Sequence, residues 1–278
     1  MDVDDLRPLV AGWPVGAVSA GVTSPERTVG VTGDPGSSMP VASVGKVLVG
    51  LAALVAVEEG AVDLDEAAGP PGSTVRHLLA HASGLAFDQD RSIAPPGRRR
   101  IYSNTGIERF AEHLAARTGI AFEEYLRLGV LEPLGMRATE VRGSPAHAVW
   151  SSVGDLLAFS RELFRPTLVS EATLAAATSV QFPGLVGVLP EIGRFEPNDW
   201  GLTFEIRGTK QPHWTGRRNS PRTFGHFGGT GSFLWVDPDA RLSAVAVADR
   251  AFGPWSLEAW PPFSDAVLAR YGGAAGAG

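Results

Sequence analysis

The longest apolar helical run of the chain, Val47 to Val55, is entered through Ser43-Val44-Gly45-Lys46. A helix of that composition heads into a core, and it takes Lys46 with it. An unpaired buried ammonium is costly, so the fold has to supply partners for this amine. Helical positions i and i+3 share a face, which sets Lys46 beside the Ser43 hydroxyl. A serine hydroxyl is a poor nucleophile until a base takes its proton. An amine partly stripped of water has a lowered pKa and can do so. Taken alone, Ser-x-x-Lys also describes a helix N-cap serine followed by a snorkelling lysine, so the chemical reading depends on partners elsewhere in the chain.

At 278 residues the chain suits one large domain or two interleaved lobes. Its net charge is −6. The basic clusters, Arg98-Arg99-Arg100 and Arg217-Arg218, are too short for a nucleic-acid surface and read as solvated loop charges. No stretch reaches the roughly 18 apolar residues of a membrane span. Met1 to Val10 hold three aspartates and no basic segment ahead of an apolar run. No secretory signal is therefore read, and the expected location is the cytoplasm, with neither nucleic acid nor membrane as partner. The chain has no cysteine, which excludes disulfides and thiolate metal sites.

Periodicity places strands at both ends. Val15–Val22 and Arg27–Thr32 read as a hairpin, and the Ser43 helix runs to about Glu59, closed by Gly60. After Gly69-Pro70-Pro71-Gly72 the period is helical, over Thr74–Ala82, Thr105–Thr118, Ala121–Leu128, Val153–Phe164 and Glu171–Thr178. Residues 181–222 are rich in Pro and Gly, with one strand predicted over Gly201–Ile206. Period two returns in Thr223–Phe227, Gly231–Val236 and Leu242–Ala248, the last two joined by Asp237-Pro238-Asp239-Ala240. A helix from about Leu257 to Tyr271 precedes a Gly/Ala tail, Gly272 to Gly278, expected to be disordered. The economical fold is α+β: an antiparallel sheet built from both termini, flanked by helices, with a mostly helical lobe inserted. The expected lobes are residues 1–60 with 200–278, which include the nucleophile helix, and 61–199. Ligand sites favour such seams.

Three further groups of residues could carry chemistry. In Tyr102-Ser103-Asn104, adjacent ammonium groups would favour a phenolate base, and the asparagine offers an amide donor and an acceptor; the same residues also fit a plain helix N-cap with Tyr102 packed behind. Gly225-His226-Phe227-Gly228-Gly229-Thr230-Gly231 lies on a strand and turn. Its glycines let a substrate approach the strand edge and a backbone N–H meet an oxyanion, or they merely shape a bulged connection. His226 fits a substrate contact or a structural strand histidine. His77 and His81 have the i, i+4 spacing of a metal pair, but no glutamate follows His77 as in His-Glu-x-x-His, and Ser83-Gly84 suits a structural corner. No metal or cofactor is expected. Val41 stands where a Gly-x-Ser-x-Gly elbow needs glycine, which disfavours an α/β-hydrolase. Trp200, His213 and Trp214 fit either an apolar pocket wall or a plain packed loop.

In order and context these motifs resemble the serine β-lactamase and penicillin-binding protein superfamily, specifically its class C-like branch of esterases, peptidases and acyltransferases. The resemblance rests on Ser-x-x-Lys, Tyr-x-Asn and a basic residue-x-Gly on a late strand. Val75 to Leu85 matches the branch's "RHLLxHxSGL" segment, and Glu132 to Met136 its "PLGM" segment. It spans about Val15 to Tyr271. The resemblance implies a β-lactamase/DD-peptidase-like fold, Ser43 as acylated nucleophile and Lys46 assisting its deprotonation. It further implies Tyr102 as proton shuttle, Asn104 holding the substrate carbonyl or amide, and the N–H groups of Ser43 and Gly229 as oxyanion hole. His226 and Phe227, ahead of Gly228, stand where many members carry lysine and a hydroxyl residue, so weak or no β-lactam hydrolysis is expected. The implied function is a serine hydrolase acting on a carboxylic ester, small amide or β-lactam-like small molecule. An acyltransferase using the same acyl-enzyme and a catalytically idle ligand-binding relative are the alternatives.

Overall fold

The computed structural model describes residues 3–272. Its strands are β1 (Asp4–Asp5), β2 (Val18–Thr23), β3 (Thr28–Thr32), β4 (Met39–Pro40), β5 (Glu140–Val141) and β6 (Val149–Ser151). They continue as β7 (Gly187–Leu189), β8 (Gly193–Phe195), β9 (Glu205–Ile206), β10 (Phe224–Gly228), β11 (Ser232–Asp237) and β12 (Leu242–Ala248). The helices are α1 (Arg7–Val10), α2 (Gly45–Glu58), α3 (Val75–Leu79), α4 (Asn104–Thr118), α5 (Phe122–Leu126), α6 (Val153–Glu162), α7 (Glu171–Ala177) and α8 (Pro254–Tyr271).

Seven strands form one sheet in the order β1-β3-β2-β12-β11-β10-β9. Every pairing is antiparallel except the short edge contact of β1 with β3. The sheet thus draws on residues 4–32 and 205–248, while α3 to α7 come from the chain between them. The fold is α+β, as expected.

Helices cover both faces of the sheet, so the central strands are buried on both sides and read as near-continuous apolar runs. Alternation still sorts their side chains. Leu234, Val236, Val245 and Val247 point into a core shared with α2, α4 and α6. Phe233, Trp235, Ala244 and Ala246 point into a second, aromatic core under α8, with Trp13, Trp260 and Phe263. Helix α2 is buried from Gly45 through Ala56, which suits a helix apolar all round.

Three expectations need correction. Only Glu205–Ile206 of the predicted strand Gly201–Ile206 pairs as a strand. Leu202 and Thr203 instead donate their N–H groups to Ala177 O and Leu79 O at 2.8 Å each, and Thr203 takes a left-handed φ of 67°. The segment 181–222 also contains an unpredicted hairpin, β7–β8. Finally, Arg100 is not a solvated loop charge. It is 2% exposed and donates to the carbonyls of Ala80, Gln181, Phe182 and Asn198. Burial pulls its pKa down to about 10. Arg98 and Arg99 are exposed as expected. Of the tail expected to be disordered, residues 273–278 lie outside the described residues.

Candidate active site

The nucleophile candidate sits at a forced bend. Val41 N–H pairs with Val149 O at 2.9 Å, Ala42 adopts φ 46°, and a 3₁₀ turn over Ala42–Val44 leads into α2. A left-handed φ on a residue other than glycine costs of order 1 kcal/mol and persists only where its surroundings impose it. They do so here. A Cβ on Gly45 would lie 2.3 Å from Val149 Cγ2, so the helix start is pressed against β6. Ser43 is half-buried and Lys46 fully buried.

Lys46 is a partnered buried amine. Its Nζ donates to Ser43 Oγ at 3.0 Å, Asn104 Oδ1 at 2.7 Å and Ala146 O at 2.6 Å, which uses all three donor directions of an ammonium. Burial lowers its pKa to about 7, against the opposing pull of Asp88 and Glu108. Near neutrality the amine is therefore divided between base and acid.

Tyr102 and Asn104 are held by a backbone frame laid down by residues 81–87. Ile101 N–H donates to His81 O and Asn104 N–H to Phe87 O, both at 2.8 Å. Ser103 caps α4, accepting from Gly106 N–H at 2.9 Å and donating to Ala86 O at 2.7 Å. The cap and the chemical reading of Tyr-x-Asn are thus compatible: Ser103 does the capping, and its neighbours face the amine. Lys46 Nζ stands 4.7 Å from the centroid of the Tyr102 ring. Burial raises the phenol's pKa well above its usual value, with the Ser43 hydroxyl working the other way. Tyr102 is a phenol in the resting site, not the phenolate that neighbouring ammonium groups suggested. Asn104 Nδ2 donates to Asp88 Oδ1 at 2.7 Å.

Strand β10 brings in the third group. His226 is buried, and its Nδ1 lies 2.7 Å from Phe227 O. A carbonyl only accepts, so Nδ1 carries the proton and Nε2 is an acceptor, here without a partner. Burial, with Lys46 nearby, lowers the His226 pKa to about 3. The ring is neutral and packs against Trp200 and Tyr102. Phe227 is buried against Phe252 and Trp214, in the aromatic core. At Gly228 a Cβ would lie 2.3 Å from Val41 O, where β10 passes the head of the serine turn. Thr230 Oγ1 and Ser232 Oγ fasten the same crossing by donating to Pro40 O and Val41 O. Gly229 has open space where a Cβ would be.

Several contacts of these side chains were not legible in the motifs: Asp88, the Ala146 carbonyl, and His81. His81 Nδ1 accepts from Ser103 N–H at 3.2 Å, with φ 54°. Its ring packs on Tyr102 and Trp200. His77 instead bonds Thr74 and packs on Phe182. The i, i+4 spacing is broken because α3 ends at Leu79, so the two rings occupy separate surroundings. Among the described residues, no group of three or more His, Asp and Glu is arranged for a metal. His213 and Trp214 are buried, and both bond the buried Glu205 carboxylate, which also pairs with Lys210. Trp200 is buried behind Tyr102.

A family model described as β-lactamase matches residues 8–269. A crystal structure of a β-lactamase from Mycobacterium bovis is 54% identical, with 95% of this chain and 98% of that one covered at a TM-score of 0.94. Two more distant structures share the fold. A variant of simvastatin synthase from Aspergillus terreus is 17% identical over 96% of this chain and 97% of that one, TM-score 0.77. A D-stereospecific amidohydrolase from Streptomyces sp. is 20% identical over 91% of this chain and 95% of that one, TM-score 0.69. Among curated proteins none matches. Among the described residues, no helix is long and apolar enough to cross a membrane.

Proposed function

The chain belongs to the β-lactamase family of serine hydrolases, and on that premise we propose that Ser43 forms an acyl-enzyme with a carboxylic ester or small amide and releases it to water. One observation carries the reading: a fully buried lysine with a pKa of about 7 donates to the candidate nucleophile at 3.0 Å. The site lies at the seam between the sheet and the helices of the middle segment.

In acylation, neutral Lys46 takes the Ser43 proton as Oγ attacks the carbonyl carbon. The N–H groups of Ser43 and Gly229 receive the developing oxyanion. Tyr102 gives its phenolic proton to the leaving oxygen or nitrogen as the bond to the acyl carbon breaks. The acyl-enzyme then holds an ammonium beside a phenolate, and each charge offsets the cost of burying the other. In deacylation the phenolate takes a proton from water, hydroxide attacks the acyl carbon, and Ser43 Oγ leaves with the proton returned by Lys46. Asn104 orients the amine through its Oδ1.

His226 supports esters over β-lactams. At neutral pH it offers no cation to a substrate carboxylate, and Phe227 offers no hydroxyl. The test is intact-protein mass spectrometry after exposure to a p-nitrophenyl ester, a fluorophosphonate and a β-lactam. Wild type should gain a fluorophosphonate adduct and, transiently, an acyl group from the ester, and Ser43→Ala neither. Equal labelling of Ser43→Ala would move the nucleophile elsewhere. Water as acceptor requires free acid as the product even when an alcohol is added.

A further inference from the structure

Beside Tyr102 lies a cavity of about 470 Å³ whose walls are mainly apolar, with Phe87, Ile101, Val186 and Val188 among its lining residues. That size falls within the range of small-molecule sites, about 300–1,000 Å³. Two arginines, Arg99 and Arg194, also line it.

The cavity is built rather than incidental. Arg100 N–H donates to Val186 O at 2.9 Å, which docks the β7–β8 hairpin onto the segment leading to Tyr102. Gly187 is required at that crossing, because a Cβ there would lie 2.3 Å from Arg100 O. Within the hairpin, Val188 and Arg194 stand directly opposite each other, so their side chains share one face. That face looks onto the cavity. Phe87, which stacks on the Tyr102 ring at 5.8 Å, and Val188 are half or more exposed. Such large apolar surface beside a reactive group is what an apolar ligand would cover.

The charges at this wall are nearly unspent. Among the described residues Arg99 has no hydrogen-bond or ion-pair partner. Arg194 meets Glu196 at only 3.7 Å, with both side chains more than two-thirds exposed, and such pairs contribute little. An apolar cavity that is also lined by two arginines suits a ligand with an apolar body and an anionic group.

The side of the substrate follows from the proposed proton path, on which this inference rests. The cavity is bounded by Tyr102, while Ser43, Asn104 and Gly229 are not among its lining residues. A proton donor to the departing atom must stand on the leaving-group side. We infer that the groove between residues 99–102 and the β7–β8 hairpin binds the leaving group of the substrate, an apolar alcohol or amine with a distal carboxylate or phosphate read by Arg99 and Arg194.

The test compares acetate esters of 4-(4-hydroxyphenyl)butanoate, of its methyl ester, and of the corresponding terminal phosphate, together with the phenyl hemiester of adipic acid, which carries its charge on the acyl side. For wild type, kcat/KM for the carboxylate or the phosphate leaving group should exceed that for the methyl ester by about tenfold, the effect of a charge-assisted contact at a partly exposed site. In Arg99→Gln/Arg194→Gln that ratio should fall to about one. A ratio of one in wild type, a ratio that survives the double substitution, or a larger charge preference for the hemiester overturns the inference. Calorimetric binding of 4-(4-hydroxyphenyl)butanoate to Ser43→Ala, weakened about tenfold when Arg99→Gln/Arg194→Gln is added, reads the groove without catalysis. Charge-dependent binding without turnover would count against the hydrolase reading alone. Turnover without charge dependence would count against the groove alone.

Discussion

Lys46 Nζ donates to Asn104 Oδ1 at 2.7 Å, and Asn104 Nδ2 donates to Asp88 Oδ1 at the same distance. The amide therefore couples the buried amine to an exposed carboxylate without bringing negative charge into contact with it. That separation lets the amine keep a pKa of about 7. Asn104→Asp removes it. A carboxylate at hydrogen-bonding distance favours the ammonium, so the acid limb of the kcat/KM profile should move up by about one pH unit or more. The rate at pH 7 should fall about tenfold. Asp88→Asn removes one of two carboxylates that support the ammonium and should move the limb slightly down. Profiles recorded from pH 5 to 10 with a p-nitrophenyl ester decide it, and an unmoved limb in Asn104→Asp would mean that Lys46 is not the titrating base.

Stability should carry the same signature. Folded Lys46 releases its proton near 7, whereas the unfolded lysine does so at 10.5. Between those values the unfolded chain holds more protons, so this residue makes stability rise with pH, by about 1.4 kcal/mol per unit at most. Below about pH 7 its penalty is constant. Lys46→Met should abolish activity and flatten this rise, whatever constant offset comes from the abandoned partners Asn104 and Ala146. Urea titrations of both proteins at pH 6, 7, 8 and 9 measure the difference, and parallel stability curves would contradict a lowered Lys46 pKa.

In the candidate site, the Ser43–Lys46 contact and the Ser103 cap were readable because their determinants are local. Ser43 and Lys46 are fixed by one helical turn, and Ser103 marks the start of α4 by its capping chemistry. The apolar run behind Lys46 foretold its burial. Arg100 was misread because a guanidinium in an Arg-Arg-Arg cluster looks solvated, and only tertiary structure brings four carbonyls around it. The β7–β8 hairpin has three-residue strands with little alternation and is held by a contact some 85 residues away in sequence, from Val186 to Arg100. Asp88 was missed because nothing in its neighbours shows that the chain folds back onto Asn104.

A change at His226 tests substrate class. With a pKa of about 3 and its Nδ1 proton committed to Phe227 O, the ring cannot hold a carboxylate as a permanent cation would. A charge-assisted hydrogen bond is worth about 1.5–3 kcal/mol, or roughly ten- to a hundredfold. His226→Lys combined with Phe227→Thr should therefore raise the rate of acylation by a β-lactam about tenfold or more, read with nitrocefin in stopped flow. Thermal melting checks that the variant is folded. A folded double variant no faster than wild type would contradict the proposal that His226 and Phe227 limit the reaction with β-lactams.

Two adjacent glycines separate the scaffold from the cleft. A Cβ on Gly228 would sit 2.3 Å from Val41 O and 2.4 Å from Ser232 Oγ. Ser232 Oγ already donates to that same carbonyl, so there is no flexible neighbour to give way. Gly228→Ala must therefore push β10 off the residue two positions before Ser43. Overpacking of this kind costs about 1–3 kcal/mol, and a displacement near 1 Å at the reacting groups costs on the order of a hundredfold in rate. Its kcat should fall by about that factor, with a smaller change in KM, and its melting temperature should drop by several degrees. Gly229 differs because its Cβ position is open. Gly229→Ala should melt with wild type, and any loss of rate then reports directly on crowding at the proposed oxyanion position. If Gly228→Ala turned over esters at the wild-type rate, the crossing of β10 over Val41 would not be what positions Ser43.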